Sequence, residues 1–299
     1  MPPSPGRQGL DRLSLYFAAA ATRQGVLARR VLGQAAQDEE ALIGRLINDM
    51  ENDFVADRAG VGAVVPMIWR AHELLDLGQS PDHPECGRIM ARMLTLQAQP
   101  GAFSQGCSRS RHSHRVCEHF ISGFFSPAPP EQRVAPVMLP NGKVFRAEPA
   151  ARFAVSCLAL RAALRGRLDN RASVERHLVS LMQLSEQWSE WNGYFAGDAI
   201  IAGIHALASM SGLRSDISAR LTSIIAEHQA PDGGWPGADL YATLEALLAL
   251  GTPEARTSVR RAVPLLLSRQ RLDGSFGSTA PQERSLIALR ALIWAEPDS

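Results

Sequence analysis

A stretch rich in cysteine and histidine is the most unusual part of the sequence. Thiolate and imidazole are ligands that zinc prefers, and four of them complete a tetrahedral site. The spacing matches no well-known zinc-finger pattern. Three interpretations stay open: a structural zinc site, a catalytic zinc or anion-binding use, and a solvated loop in which these side chains are incidental. The five candidate ligands lie within thirteen residues: Cys107, His112, His114, Cys117 and His119.

Three arginines in the same stretch add positive charge. Guanidinium groups donate paired hydrogen bonds to carboxylates and phosphates, so Arg109, Arg111 and Arg115 would suit a diphosphate or a carboxylate. His83 and Cys86 lie upstream and could serve as further metal ligands. The stretch is therefore a candidate site for a metal or an anion.

A row of acids offers a weaker metal site. Asp49, Asp53 and Asp57 follow one another at four-residue steps and so share one face of a predicted helix. Such a row could hold Mg²⁺ together with a diphosphate. A solvated acidic face is the simpler interpretation, and the case for magnesium is weaker than that for zinc.

The composition excludes some classes of protein. The 299 residues include 31 basic and 30 acidic side chains, a net charge of +1, so a dedicated nucleic-acid binder is not expected. Four cysteines are too few for a disulfide scaffold and favour a reduced, cytoplasmic setting. Arginine dominates the basic residues, and Lys143 is the only lysine, which is typical of a GC-rich bacterial genome.

The amino-terminal segment resembles a signal peptide only weakly. Residues 1–9 are predicted to be a disordered tail. The apolar run that follows is short, and its helical periodicity continues through Leu27, Val31 and Leu32. No apolar run reaches the roughly 18 residues that a transmembrane helix needs. Peripheral contact with a membrane stays open.

Helical periodicity dominates the rest of the chain. One non-helical insertion is predicted at about 100–147, with a small β-hairpin in which Asn141-Gly142 forms the turn between Val137–Leu139 and Val144-Phe145. An insertion of this length is more often functional than idle. Apolar residues recur at three- and four-residue steps in eleven segments: 10–33, 39–56, 62–77, 84–97, 148–166, 171–187, 198–211, 214–228, 239–251, 254–269 and 281–295.

The chain also contains an internal repeat of glutamine, glycine and an aromatic residue. Gln229, Gly233 and Trp235 have the same spacing as Gln270, Gly274 and Phe276. A third copy begins at 97, a looser one at 187, and the later copies are about 42 residues apart. Each unit is one helical hairpin, and about twelve such helices close naturally into an α/α toroid. Residues 10–299 are therefore predicted to form a single all-α domain.

The residue types of the repeat suit a joint between helices. Glycine allows a turn with φ > 0 at the end of an outer helix. The glutamine amide can bond exposed backbone groups at the start of the next helix. The aromatic side chain packs on the bared backbone and on the neighbouring hairpin. For Trp235 and Phe276 we expect this structural role.

The repeat resembles the QW repeat of squalene–hopene and related terpene cyclases, and the helix after Asp239 looks like that of protein prenyltransferase β subunits. The resemblance covers roughly 90–299 by motif and the first 90 residues by periodicity only. It implies an α6-α6 toroid with a central cavity that takes a polyprenyl or meroterpenoid substrate. It implies no cofactor, and zinc remains a separate expectation from the Cys/His stretch.

The resemblance also points to one acid. Class II terpene cyclases protonate an alkene or epoxide with the middle Asp of an Asp-x-Asp-Asp run that opens an inner helix. No such run exists here, but Asp198 falls on the middle position, flanked by Ala196 and Ala199. A helix cap is the alternative role for Asp198, and more strongly for Asp239, because aspartate is a good N-cap.

Three further residues could belong to the same site. His205 falls two turns after Asp198 on the same helical face and could be a cavity base or a satisfied core histidine. Trp191 and Tyr194 lie beside Asp198 in sequence and are candidates for substrate contact at the cavity mouth. The prenyltransferase zinc ligands are absent, since the helices at 239–250 and 281–295 contain no Cys or His.

These observations favour a terpene-cyclase-like enzyme that acts on a hydrophobic isoprenoid by acid-initiated cyclisation. Two alternatives stay open: a non-catalytic toroid that binds a hydrophobic ligand or a protein, and a different toroid enzyme, zinc-dependent or sugar-active. An apolar cavity with one acid would favour the cyclase. An open cleft with several carboxylates and tryptophans would favour carbohydrate chemistry, and a filled core would favour the binding protein.

Overall fold

The computed structural model describes residues 5–35, 39–57, 64–95, 134–188, 191 and 197–296. Within these ranges the chain forms twelve α-helices and one two-stranded sheet. The inner helices are α2 (Arg23–Val31), α4 (Val64–Asp76), α6 (Glu148–Arg165), α8 (Gly197–Ala208), α10 (Leu240–Leu250) and α12 (Pro281–Ala295). The outer helices are α1 (Pro5–Phe17), α3 (Glu39–Asp57), α5 (Pro84–Thr95), α7 (Ala172–Ser185), α9 (Ser215–Glu227) and α11 (Pro253–Ser268).

The six inner helices form a closed ring. Each packs on the next along the chain, from α2 through α4, α6, α8 and α10 to α12, and α12 packs back on α2. The outer helices cover this ring from outside, so α8 and α10 are buried around most of their circumference and are apolar on most sides. The predicted all-α toroid of helical hairpins is confirmed.

The first predicted helical segment, 10–33, is in fact two helices. Thr22 ends the connection between α1 and α2, and its side chain accepts a hydrogen bond from the backbone N–H of Gly25 at 3.2 Å. This hydroxyl is a helix N-cap, which starts a new helix rather than continuing the old one. Helical periodicity alone does not register such a break.

The two ends of the chain meet where the ring closes. Helix α1 packs on α11 and α12, and the side-chain amide of Gln270 donates to the backbone oxygen of Gly9 at 3.1 Å. Helix α1 begins at Pro5, inside the segment predicted to be a disordered tail, because these contacts hold residues 5–9 against the last hairpin. Residues 1–4 lie outside the described part of the chain.

The repeated glutamines join each turn to the following outer helix. The amide of Gln229 donates to the oxygen of Gly233 at 2.9 Å and to that of Ser258 in α11 at 2.8 Å. Gln270 does the same with Gly274, at 3.1 Å, and with Gly9 in α1. We predicted that the amide would bond the start of the next helix. It instead reaches the next outer helix, which lies alongside the turn.

The glycines and aromatics of these joints behave as their types suggest. Gly233 and Gly274 have φ values of +89° and +85°. Trp235 is buried and its indole N–H donates to the oxygen of Ile225 at 2.9 Å, while Phe276 is fully buried. Both aromatics therefore have the predicted structural role. The copy that begins at residue 97, and part of the one that begins at 187, lie outside the described residues.

The predicted β-hairpin is present. Strands β1 (Val137–Met138) and β2 (Val144–Phe145) pair antiparallel, with Val137 opposite Phe145. Gly142 turns the chain with φ +80°, and the Asn141 side chain accepts the backbone N–H of Lys143 at 3.1 Å. Within the described ranges, no helix is long and apolar enough to cross a membrane.

Candidate functional site

The interior of the ring contains a small cavity beside Asp198, which we call the Asp198 chamber. Its volume is about 40 Å³, room for a few water molecules. The hairpin supplies one wall, and the amino-terminal parts of the inner helices supply the others. The polar side chains that line it are Asp198, the hairpin's Asn141 and Lys143, and Arg161, His205 and Glu245. The other lining side chains are apolar: Leu139, Phe145, Ala154, Cys157, Leu158, Ile201, Ala202 and Ala242.

A larger cavity lies toward the carboxyl ends of α6, α8 and α10, and we call it the arginine chamber. Its volume is about 420 Å³, within the usual range for a small-molecule site. Its walls are strongly charged, in contrast to those of the Asp198 chamber. The charged side chains that line it are Arg23, Asp76, Arg161, Arg165, Glu245, Glu283 and Arg290.

Three polar side chains line both chambers and form a partition between them: Arg161, His205 and Glu245. Arg161 donates to Glu245 at 3.3 Å. Burial raises the pKa of Glu245, although Arg161 opposes this shift. Burial and the Arg161 charge hold the pKa of His205 well below its usual value, so the imidazole is neutral. Its 3.8 Å approach to Glu245 is therefore not an ion pair.

Asp198 is bound at both carboxylate oxygens. One oxygen forms an ion pair with Lys143, and the other accepts the backbone N–H of Asp239 at 2.8 Å. Both partners are donors, so the carboxylate oxygens act as acceptors in both contacts. The capping alternative predicted bonds to its own helix. Among the described residues the bonds instead go to the hairpin and to the start of α10.

Asp239 has the capping role that was predicted for it. Its side chain accepts the backbone N–H groups of Tyr241 and Ala242 at 3.0 and 3.1 Å, so it is the N-cap of α10. Its second oxygen lies 3.3 Å from Arg284. Arg284 also donates to the backbone oxygen of Asn141 at 2.8 Å, which ties the hairpin to α12.

The walls of the arginine chamber contain a buried network of ion pairs. Arg23, only 3% exposed, pairs with both Asp76 and Glu283 and lies 4.6 Å from the centre of the Trp69 ring. Arg165 also pairs with Asp76. Asp76 is buried, which alone would raise its pKa, but the two arginines outweigh this and hold that pKa below its usual value.

His72 belongs to the same network and is neutral. Arg165 can only donate, so the 3.0 Å contact makes His72 Nδ1 an acceptor, and Nε2 then donates to the oxygen of Leu158 at 2.9 Å. Burial and the nearby arginines lower the pKa of His72 accordingly. The imidazole therefore positions Arg165 at the chamber wall.

The structure places the predicted site residues in three different settings. Asp198 and His205 both line the interior of the ring. Trp191 is 4% exposed and lines neither chamber; it stacks on His228 and donates to the oxygen of Pro236 at 2.6 Å, behind the start of α8. The following candidates lie outside the described residues: Tyr194, Cys107, Arg109, Arg111, His112, His114, Arg115, Cys117 and His119.

The described part of the chain contains no group of three or more His, Cys, Asp or Glu side chains arranged to hold a metal. Cys86 is buried, which raises its thiol pKa to about 11, and His83 contacts Glu85 at 3.0 Å. Asp49 is exposed and lies 3.7 Å from Arg70. The zinc site therefore stays a prediction about residues that the structure does not describe.

Several residues of the interior escaped the sequence analysis, although each leaves a signal. Lys143 is the only lysine in an arginine-rich chain, and it lies in the hairpin turn. Arg161 and Arg165 lie four residues apart in α6, and Glu245 interrupts the apolar helix α10. Charged residues in helices that are buried all round are expensive unless they pair or bind a ligand, and this is the signal that could have found them.

Comparison with solved structures identifies the ring as the fold of type II terpene cyclases. Matching structures include several of one such enzyme, MstE from Scytonema. Its apo form superposes with a TM-score of 0.57 at 11% identity, over 97% of this chain and 98% of that one. Its complex with the product merosterolic acid A superposes with a TM-score of 0.55 at 13% identity. Its complex with the substrate geranylgeranyl dihydroxybenzoate superposes with a TM-score of 0.54 at 14% identity, and both superpositions cover 97% of each chain.

At these sequence identities the similarity to MstE shows a shared fold only. No protein-family model matches the sequence, and no curated protein matches it either. The residues of the interior must therefore support any functional conclusion.

Proposed function

We propose that the chain is an isoprenoid-handling enzyme of the type II terpene cyclase kind. It takes a polyprenyl or meroterpenoid substrate into the interior of the ring and begins cyclisation by protonating an alkene or epoxide from Asp198. The observation that carries the proposal is the carboxylate of Asp198 at the start of an inner helix, beside the apolar side chains of a chamber inside a complete ring of this fold.

The walls of the Asp198 chamber support a hydrocarbon ligand. Leu158, Ile201 and Phe145 present carbon surface beside the carboxylate, and such surface stabilises an isoprenoid chain by excluding water. The MstE structure with geranylgeranyl dihydroxybenzoate supports the proposal by analogy, since that enzyme has the same fold. The chamber is too small for such a chain as it stands, so binding requires the hairpin wall to move.

Asp198 must also gain a proton before it can act as an acid. In the structure Asp198 forms an ion pair with the Lys143 ammonium instead. A hydrocarbon that fills the chamber removes water and raises the cost of keeping both charges. Transfer of the ammonium proton from Lys143 to Asp198 would then leave a neutral amine and give the carboxylic acid that the reaction needs.

The ion pair with Lys143 also favours a second candidate, a ring that binds an isoprenoid without reacting with it. In that case Asp198 and Lys143 hold the hairpin closed, and the carboxylate stays ionised when the ligand is bound. The two candidates differ in whether Asp198 is needed for turnover.

A product assay separates them. Wild type and Asp198→Asn are incubated with geranylgeranyl diphosphate, geranylgeranyl dihydroxybenzoate and squalene, and the products are analysed by chromatography and mass spectrometry. We expect a cyclic product from at least one substrate, and a loss of at least about 100-fold in Asp198→Asn, the usual effect of removing a general acid.

Asp239→Asn is the matched control, because asparagine caps a helix as well as aspartate does. It should keep turnover close to that of wild type. Turnover that survives in Asp198→Asn would exclude Asp198 as the acid. Binding of these compounds without any product would favour the non-catalytic ring.

A further inference from the structure

The arginine chamber has more positive than negative side chains. Its carboxylates are Asp76, Glu245 and Glu283, and its four arginines are Arg23, Arg161, Arg165 and Arg290. A partly buried space with an excess of cations attracts an anion, because the lowered dielectric strengthens each interaction. Which arginines have hydrogen-bonding capacity left decides where such an anion would bind.

Two of the arginines already pair closely with carboxylates of the wall. Arg23 pairs with Asp76 and Glu283 and lies 4.0 Å from Glu73. Arg165 pairs with Asp76 and donates to His72. Arg23 Nε is also buried without a hydrogen-bond partner in the described part of the chain, but both guanidinium groups already pair with carboxylates at close range.

The other two arginines have fewer partners and also keep unused donors. Arg161 has one partner, Glu245 at 3.3 Å, and its Nε is buried without a hydrogen-bond partner in the described part of the chain. Arg290 is half-buried on α12 and forms no hydrogen bond or ion pair with a described residue. A buried guanidinium N–H without a partner is costly, and an oxyanion would satisfy it.

The counter-charge of Arg161 is also weakened. Burial raises the pKa of Glu245, against the opposing effect of Arg161. Glu245 therefore gives up its negative charge more readily than an ordinary glutamate. This leaves Arg161 better able to pair with an incoming anion.

From these unused donors we infer that the arginine chamber binds the oxyanion head of an amphipathic ligand, a carboxylate or a diphosphate, through Arg161 and Arg290. This deepens the proposed function and rests on it for the hydrocarbon part of the ligand. With its head here, a ligand extends past the partition toward Asp198. The partition lies two helical turns of α8 from Asp198, since His205 follows it by seven residues.

Calorimetric titration with two head groups alone, sodium pyrophosphate and sodium benzoate, tests the anion site. We expect one of them to bind at one site per chain. Arg290→Gln should weaken that binding by at least about tenfold, the value of one charge-assisted hydrogen bond. Arg290→Lys keeps the charge without the forked donors, and its affinity should lie between the two.

Arg261→Gln is the control, because Arg261 is exposed on the outer helix α11. Its affinity should equal that of wild type. The anion site is wrong if neither head group binds, or if Arg290→Gln binds as tightly as wild type. An equal loss in Arg261→Gln would also overturn it, because the binding would then reflect general surface charge.

Titration with geranylgeraniol, which has no charge, keeps this inference separable from the proposed function. If geranylgeraniol binds and neither anion does, the anion site fails and the proposed function stands. If the anions bind through Arg290 and geranylgeraniol does not, the anion site stands and the proposed function fails. Comparison of geranylgeranyl diphosphate with a geranylgeranylated benzoic acid then shows which head group the chamber prefers.

Discussion

Gly233 has a left-handed backbone conformation and lies too close to a neighbouring helix to carry a side chain. Its φ is +89°, and a Cβ there would lie 2.3 Å from the backbone oxygen of Arg261 in α11. Gly251, the C-cap of α10, also has a positive φ, +66°, but no atom lies within 4 Å of its added Cβ. Alanine substitutions at these two glycines therefore distinguish the free-energy cost of a left-handed backbone from the cost of a steric clash.

We expect Gly251→Ala to lower the free energy of unfolding by about 1 kcal/mol, the cost of the left-handed conformation alone. Gly233→Ala should cost about 3 kcal/mol or more, because α11 must also move. Chemical denaturation of both variants measures the difference. Equal losses would show that the repeat turn is not packed against α11 as described.

At the scale of single residues, the sequence predicts local roles but not the tertiary partners of a side chain. The types and spacing of Gln229, Gly233 and Trp235 indicate a joint, because each type has one dominant local use. The partner of Gln229 in α11 could not be predicted, since Ser258 is one residue among many on a helix whose orientation depends on the ring. For the same reason the partner of Asp198, fifty-five positions away, was not found.

At the scale of elements, the hairpin is the described part of the predicted insertion, and it reaches the interior of the ring. Its turn carries Lys143 onto Asp198, and Arg284 holds the same turn from α12. The Asn141-Gly142 pair predicted this hairpin from local turn chemistry. Its position over the Asp198 chamber depends on tertiary contacts, which leave no comparable sequence pattern.

A double-mutant cycle tests the attachment of the hairpin to α8. We expect Lys143→Met and Asp198→Asn to couple by about 1 kcal/mol in the free energy of unfolding, since the pair is only partly buried, with 25% and 18% of the two side chains exposed. Chemical denaturation of the wild type, both single variants and the double variant gives the coupling.

The same cycle with Arg152 in place of Lys143 is the control, because Arg152 pairs with Glu148 instead of Asp198. That cycle should show no coupling. If Lys143 and Asp198 also act independently, the hairpin is held by other contacts, and Lys143 has no part in setting the protonation of Asp198.

At the scale of the whole molecule, periodicity and the repeat were enough to predict a closed ring of helical hairpins. Those features are local and recur along the chain. An error in predicting one helix, such as the missed break at Thr22, therefore leaves the predicted architecture unchanged. The division of the interior into an apolar and a charged chamber could not be predicted. It arises where Arg161, His205 and Glu245 from three separate helices meet.

The central claim is that the interior of the ring binds an isoprenoid, with Asp198 at its apolar end. A crystal structure of Asp198→Asn with geranylgeranylated benzoic acid tests it most directly, because this variant should bind the ligand without consuming it. We predict that the prenyl chain lies inside the ring, against Leu158 and Ile201 and in contact with residue 198. A ligand bound only outside the ring, with both chambers unchanged at saturating concentration, would contradict the account.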